Sequence, residues 1–241
     1  MLSLTGFKSR FTPNWRMSVL TLAALVLFTR LGVWQLERAS EKKQMLTREG
    51  VFATHTPIAW QPGDKFPTQY QRINLQGHFL PQVLLFDNQH YQHQFGYHVI
   101  SPLALSDGWV VLVDRGWVAG DLTRRELPMV DTPVGNINLT GSSYYPSDKN
   151  WLLGPLLEIK RADLAIVELI DTKSISQFLH KSVYPFIMRL SENEPYGFVR
   201  EWAIVSMSPQ RHYGYAVQWF AIAAVVLILF IALNFKNKHE S

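Results

Sequence analysis

The stretch RHYGYAVQWFAIAAVVLILF, residues 211–230, begins with polar and aromatic side chains and turns into a nearly unbroken apolar run. Continued to Phe235, the apolar part covers Ala216–Phe235, about 20 residues, the length at which a helix crosses a ~30 Å hydrocarbon core. It carries no charge, and only Gln218 and Asn234 are strongly polar. The tail NFKNKHES follows, with Lys236 and Lys238 as a basic stop. A plain anchor needs only the apolar part, so the histidine, tyrosines, glutamine and tryptophan at its entry require their own explanation.

Near the other end of the chain, WRMSVLTLAALVLFTRLGVWQLERA (Trp15–Ala39) contains a second run of similar length, Met17–Leu36. Arg30 interrupts it. A central arginine would cost at least ~2.5 kcal/mol, but one near a helix end snorkels to the interface. The apolar run continues through Trp34 into a charged stretch that still reads as helical, and no small-x-small cleavage site ends it. That favours a retained anchor over a signal peptide. Both short tails are basic (Lys8, Arg10 and Arg16 at one end, Lys236 and Lys238 at the other), so the positive-inside rule puts both in the cytoplasm. The expected division is a tail at 1–14, a first span at 15–37, an outer domain at 38–212, a second span at 213–235 and a tail at 236–241.

The outer segment reads mostly as strands. Arg72–Leu80, Val83–Asn88, Tyr97–Leu105, Trp109–Val118, Asn136–Tyr145 and Ser182–Leu190 are β-rich runs bounded by Gly, Pro, Asn and Asp. Thr172–Lys181 reads as a short helix, and ASEKKQMLTREGVF as a helical extension of the first span. The expected fold class is an α+β membrane protein, two transmembrane helices flanking a small antiparallel β-barrel or sandwich. No repeat of solenoid or propeller period is present.

The chain has 241 residues, a formal net charge of +4 and no cysteine. Disulfides, thiolate metal sites and a cysteine nucleophile are therefore excluded. The basic balance raises anionic lipid or acidic ligands as partners. No basic block interleaved with aromatics favours nucleic acid. No phosphate loop, nucleophile elbow, dinucleotide fingerprint or zinc-protease motif occurs, which argues against an enzyme.

Three groups of residues invite chemistry. DNQHYQHQFGYH brings His90, His93 and His98 close in sequence. Imidazole binds copper and zinc, but the spacing fits neither a helix face nor a zinc finger, and a polar hairpin loop explains it. A copper chaperone would also lack the Cys or Met ligands that Cu(I) prefers. In VVLVDRGWVAG, Arg115 beside Trp117 offers a surface for an anionic or planar partner. The same residues also fit a strand end with an internal ion pair, Gly116 marking a bulge or close approach.

The third group lies at the span ends. His212, Tyr215 and Trp219 share one helical stripe with Gln218 beside it, and Arg30, Trp34 and Arg38 stack likewise on the first span. An aromatic belt explains Tyr, Trp and Arg, but His212 less well and Gln218 poorly. If the stripes face each other, they suit a planar anionic cofactor such as haem. His212 would ligate iron, the arginines would pair with propionates, and Trp and Tyr would cover the ring.

LGVWQLERASEKK also resembles the Leu-Gly-x-Trp-Gln-x-x-Arg-x-x-x-Lys signature of the surfeit locus protein one (Shy) family. LVDRGWV resembles its Val-Asn-Arg-Gly-Trp-Val-Pro strand end, and HYGYAVQWF its His-x-x-Tyr-Ala-x-Gln-Trp-Phe entry to the second span. Gly77 and Phe79 match a Gly-x-Phe element. Asp114 stands where the family usually has Asn, and Ala119 where it has Pro. The resemblance implies an assembly factor for haem-copper cytochrome c oxidase that binds haem a and assists its insertion into the large subunit. The implied partners are that subunit, the haem a or haem o synthases and membrane lipid. His212 corresponds to the candidate haem ligand, and Trp34, Gln35, Arg38, Arg115, Gly116, Trp117, Tyr215, Gln218 and Trp219 to other family positions. The alternative is a scaffold that holds oxidase subunits or partner factors without haem. The short N-terminal tail has no long Arg/Ser-rich transit segment, which points to a bacterial inner membrane with the main domain periplasmic.

Overall fold

The structure is a computed structural model and describes residues 10–11, 13–146 and 156–236. In chain order its elements are β1 (Arg10–Phe11), α1 (Trp15–Ala53), β2 (Ile58–Ala59), β3 (Arg72–Phe79), β4 (Val83–Tyr91), β5 (Gln94–Ala104) and β6 (Val110–Ala119). They continue as β7 (Asn136–Tyr144), β8 (Leu157–Arg161), β9 (Leu164–Val167), α2 (Thr172–Leu179), β10 (Val183–Leu190), α3 (Pro209–Asn234) and β11 (Phe235–Lys236). The chain forms two compact units, Met1–Thr47 with Ile204–Ser241, and Arg48–Ala203.

The first unit is a helix pair. Asn14 Oδ1 accepts the Arg16 N–H at 3.0 Å to start α1, and Ser208 caps α3 with Pro209 in its first turn. Both helices are long and apolar enough to cross a membrane. They run antiparallel, and β1 pairs with β11 so that residues 10–11 and 235–236 lie side by side. Thr21, Gly32 and Ala39 are buried on α1, and Ala216 and Ala223 on α3. A Cβ on Gly32 would stand 2.6 Å from the Phe220 ring. Apolar side chains such as Leu20, Leu22, Val217 and Leu233 point outward, as lipid-facing positions do. The positions Lys8 and Lys238 lie outside the described residues.

The second unit is built on a nine-stranded sheet ordered β2-β3-β7-β10-β6-β5-β4-β9-β8. All six strands expected from the sequence form, as does the short helix, whose N-cap Asp171 accepts from the Ser174 N–H at 2.9 Å. The expectation of an antiparallel barrel or sandwich is corrected, because the sheet is mixed. β10 lies parallel to β6, β9 parallel to β4, and β2 parallel to β3. Parallel neighbours require long crossovers; the connection between β6 and β10 contains α2. Strand propensity marks where a strand is but not the direction of its partner. β3 also pairs with β5 at His78↔Ala104 and Phe79↔Leu103, linking β3, β7, β10, β6 and β5 in a ring. Gly77 permits that contact: a Cβ there would lie 2.4 Å from the Ala104 carbonyl oxygen.

Alternation sorts the side chains to two faces. Ile73, Leu75, Leu103, Val111, Val113, Phe186 and Met188 form one core cluster with Trp60. Leu84, Ile100, Val110, Leu112 and Ile187 form another, covered by Ile175 and Leu179 of α2. The β8–β9 hairpin, LEIKRADLAIV, was not anticipated, although Leu164, Ala165 and Val167 are buried.

Candidate functional site

His212 occupies the second helical turn region of α3 and is only 8% exposed. Its Nδ1 lies 2.8 Å from Gln35 Oε1 on α1. Because that oxygen accepts, Nδ1 carries the proton and Nε2 keeps its lone pair. Nε2 is buried and has no hydrogen-bond partner among the described residues. Metal-binding imidazoles have this arrangement: one ring nitrogen donates to an orienting acceptor and the other is free to ligate. Deeper along the pair, Phe28 and Trp219 stack with centroids 5.8 Å apart and planes 14° apart. They close the helix contact with two aromatic faces.

The contact brings His212 and Trp219 against Gln35 and Phe28, not against a wall of arginines. The expected facing of the two stripes is corrected for Arg30 and Trp34. Each lies two residues past a contact position, Phe28 and Gly32, and two residues turn a helix about 200°. Arg30 is exposed and Trp34 is 50% exposed. Arg38 lies nearer the contact face but pairs along its own helix with Glu41 at 2.5 Å. On α3, Tyr215 and Gln218 are exposed. Gln35, read in sequence only as a residue leaving lipid and a family position, is the one that touches His212. Its spacing of seven from Phe28 and three from Gly32 was the available signal.

The Asp114–Trp117 corner lies at the end of β6 and faces inward. Arg115 is 3% exposed; its Nε donates to the Tyr196 carbonyl at 2.7 Å and its Nη1 to Ser101 Oγ at 3.2 Å. Its guanidinium also stands over the Phe198 ring at 5.0 Å. Burial pulls its pKa down to about 10, with the charge of Asp131 opposing. Trp117 is buried; its backbone N–H donates to the Val199 carbonyl at 2.7 Å and its Nε1 to the Gln89 carbonyl at 3.3 Å. Gly116 has φ +109°, and a Cβ there would sit 2.5 Å from the Val199 carbonyl oxygen. The segment at 196–200 is thus strapped onto β6 across a glycine. The expected partner surface at Arg115 and Trp117 is corrected, because both side chains are interior. The expected internal ion pair is redirected: Asp114 Oδ2 pairs with His98 Nδ1 at 2.9 Å, and its Oδ1 accepts the Gly116 N–H at 3.1 Å. Ala119, where the family usually has Pro, pairs with Gly96 at the end of β6.

His90, His93 and His98 are not gathered. β4 and β5 run on into the expected loop and meet at a tight turn, where Gln92 (φ 48°) and His93 (φ 64°) both take left-handed backbone. His90 sits beside the Phe95 ring at 6.1 Å, and His98 is held by Asp114. Among the described residues, no group of three or more His, Asp or Glu side chains is placed to hold a metal ion.

Comparison with known proteins yields one family model, described as the SURF1 family, over residues 22–224. A SURF1-like protein of Rickettsia bellii is 24% identical over 221 residues, covering 87% of each chain. A SURF1-like protein of Rickettsia felis is 25% identical over 222 residues, covering 87% of this chain and 94% of that protein. A SURF1-like protein of Dictyostelium discoideum is 33% identical over 101 residues, 37% of each. The match runs from within α1 to within α3, so it includes both the His212–Gln35 pair and the Asp114–Trp117 corner.

Proposed function

The chain belongs to the SURF1 family, and on that premise we propose that it is a non-catalytic assembly factor for haem-copper cytochrome c oxidase. It binds haem a at the helix pair and assists its transfer to the oxidase large subunit, working beside the haem a or haem o synthases. The observation that carries this reading is the bare Nε2 of His212, buried while Gln35 holds the opposite nitrogen. An imidazole in this tautomer fits a haem iron as donor.

In this proposal each residue has a defined task. His212 presents the lone pair, and Gln35 fixes the ring and the proton on Nδ1. Phe28 and Trp219 keep the neighbourhood apolar, which excludes water from the ligand. Tyr215 and Gln218, exposed on the flank of α3, contribute cover for the ring. Arg38, nearer the contact face, neutralises a propionate by exchanging Glu41 for it. When bound, the haem supplies the redox-active iron that the oxidase requires. The protein sits in a bacterial inner membrane, with both tails cytoplasmic and the sheet domain periplasmic. Two helices of spanning length and the pairing of residues 10–11 with 235–236 support that topology.

The test is absorption spectroscopy of the full chain purified from cells that make haem a. The native protein should carry a histidine-ligated haem a spectrum, and His212→Ala should lose it, with affinity falling at least about a hundredfold. An unchanged spectrum in His212→Ala would falsify the ligand assignment. Arg38→Gln should weaken binding while inserting normally; equal affinity would remove the propionate role.

A scaffold role that needs no haem has one observation in its favour. The loop at 120–135 exposes Leu122, Met129 and Val134 almost completely, at 82%, 98% and 97%, although Asp121 and Arg124 anchor it. Long ordered loops with apolar tips serve contacts with other proteins. A His212→Ala variant that restores full oxidase assembly would favour this reading.

A further inference from the structure

One row of register-matched residues crosses four neighbouring strands of the sheet domain. Arg72 on β3 lies opposite Ser142 on β7, Ser142 opposite Arg189 on β10, and Arg189 opposite Asp114 on β6. Residues directly opposite each other project from the same face. Two of the three charges in the row already have partners. Arg72 donates to the carbonyls of Ala53 and His55 at 3.4 and 3.3 Å. Asp114 is taken up by His98 and the Gly116 N–H. Arg189 has no such partner.

The Arg189 guanidinium carbon stands 3.6 Å from the Tyr144 ring centroid and 5.4 Å from that of Trp202. The rings cover the flat faces of the cation and hold it in place. They do not satisfy its edge, which offers five N–H donors. Nε and Nη1 are buried with no hydrogen-bond partner among the described residues. Buried donors in folded proteins are almost always paired, and a guanidinium takes carboxylate or phosphate oxygens by preference. Asp114, the natural counterion on the next strand, is not in an ion pair with it. Trp202 is itself fixed, its Nε1 donating to the Leu190 carbonyl at 3.1 Å. The cation is therefore preorganised, with no partner for its Nε and Nη1 among the described residues, and the half-buried Ser142 lies opposite it in register as a second donor.

We infer that Arg189 and Ser142 form an oxyanion-binding site on the sheet domain, taking a carboxylate or phosphate group. The site is separate from His212 and does not rest on the haem proposal. The tyrosine and tryptophan faces orient the guanidinium, and the incoming oxygens replace the missing partners of its edge.

The experiment uses the full chain in neutral detergent. Thermal unfolding is followed while inorganic phosphate, and separately acetate, replaces chloride at constant ionic strength. A parallel arm reconstitutes the chain in phosphatidylcholine vesicles with and without phosphatidylglycerol, which separates a lipid headgroup from a free anion. The native chain should be stabilised by at least one of these, saturably. Arg189→Lys, which keeps charge but loses the planar donors, should weaken the apparent affinity about tenfold. Ser142→Ala should weaken it about threefold. Arg161→Gln, which removes an exposed arginine paired with Asp163, should change nothing. Ser142→Ala keeps the test valid if Arg189 variants fold poorly. No stabilisation in either arm, or the same stabilisation in Arg189→Lys and Ser142→Ala as in the native chain, would overturn the site.

Discussion

The Asp114–Trp117 corner and the His212–Gln35 pair are both motif-rich and buried, yet they treat their polar atoms in opposite ways. In the corner, Asp114, Arg115 and Trp117 find partners inside the domain: His98, the Gly116 amide, Ser101, and the carbonyls of Tyr196, Val199 and Gln89. In the helix pair, one imidazole nitrogen is bonded and the other is buried bare. Leaving a buried polar atom unpaired costs about 1–3 kcal/mol. A partner that is satisfied internally holds a fold together, whereas a bare, oriented one is available to a ligand.

The sharpest way to break this contrast is at Gly116. Gly116→Val places a branched side chain at φ +109° against the Val199 carbonyl. It should destabilise the sheet domain by about 3 kcal/mol or more, read by chemical denaturation of the detergent-solubilised chain. Haem ligation by whatever protein remains folded should be native-like. A variant of native stability would mean that the strap does not hold the corner.

Gln35→Leu probes the other side of the comparison. It should lower haem a affinity about tenfold to a hundredfold, as loss of an orienting partner does. The helix pair itself should lose only about 0.6 kcal/mol, the usual worth of a hydrogen bond between membrane helices. If stability falls and haem affinity does not, Gln35 is packing glue and not an orienting group. Gln35→Glu, which preserves an acceptor, should rescue the affinity.

Asp114→Asn should cost about 1 kcal/mol or less. The asparagine oxygen can still accept the Gly116 N–H, and only the charge facing His98 is lost. That is the physical reason a family position usually held by Asn accommodates Asp. A larger loss, measured in the same denaturation assay, would give the His98–Asp114 pair more weight than the turn.

The smallest effect is one of pH. Burial, then the hydrogen bond and negative charge of Asp107, push the Tyr184 hydroxyl up to about 12. A raised acid favours the folded state below its unfolded pKa, near 10, and that contribution disappears as pH rises through about 12. Stability of the sheet domain should therefore fall between these values, and Tyr184→Phe should flatten the fall. Arg115, depressed to about 10, acts in the opposite sense over the same window. The difference between native and Tyr184→Phe curves isolates the tyrosine, and superimposable curves would contradict its role.

Sequence reading singled out His212, and the structure sets Gln35 opposite it in place of the expected arginines. Helical spacing and the entry motif singled out His212, and both are local properties of one helix. The residue opposite it depends on how two helices are rotated about their axes. The contacts that record that rotation, Phe28 with Trp219 and Gly32 with Phe220, give a weak signal among so many apolar neighbours. Arg30 and Trp34 attracted attention through their chemistry but occupy the wrong face. At the corner, the motif was legible but its purpose was not, because the strap at 196–200 comes from far along the chain.

The sequence by itself determined the two helices of membrane-spanning length, the six strands between them and the short helix before β10, since length, apolar runs and turn residues act over a few neighbours. It also determined the family through its ordered motifs. Only the tertiary structure decided that the sheet is mixed, that Asp114 turns to His98, that Gln35 meets His212 and that Arg189 lacks a counterion. Each of these depends on residues far apart in the chain arriving on one face, where register and helix rotation, not local propensity, select the partner.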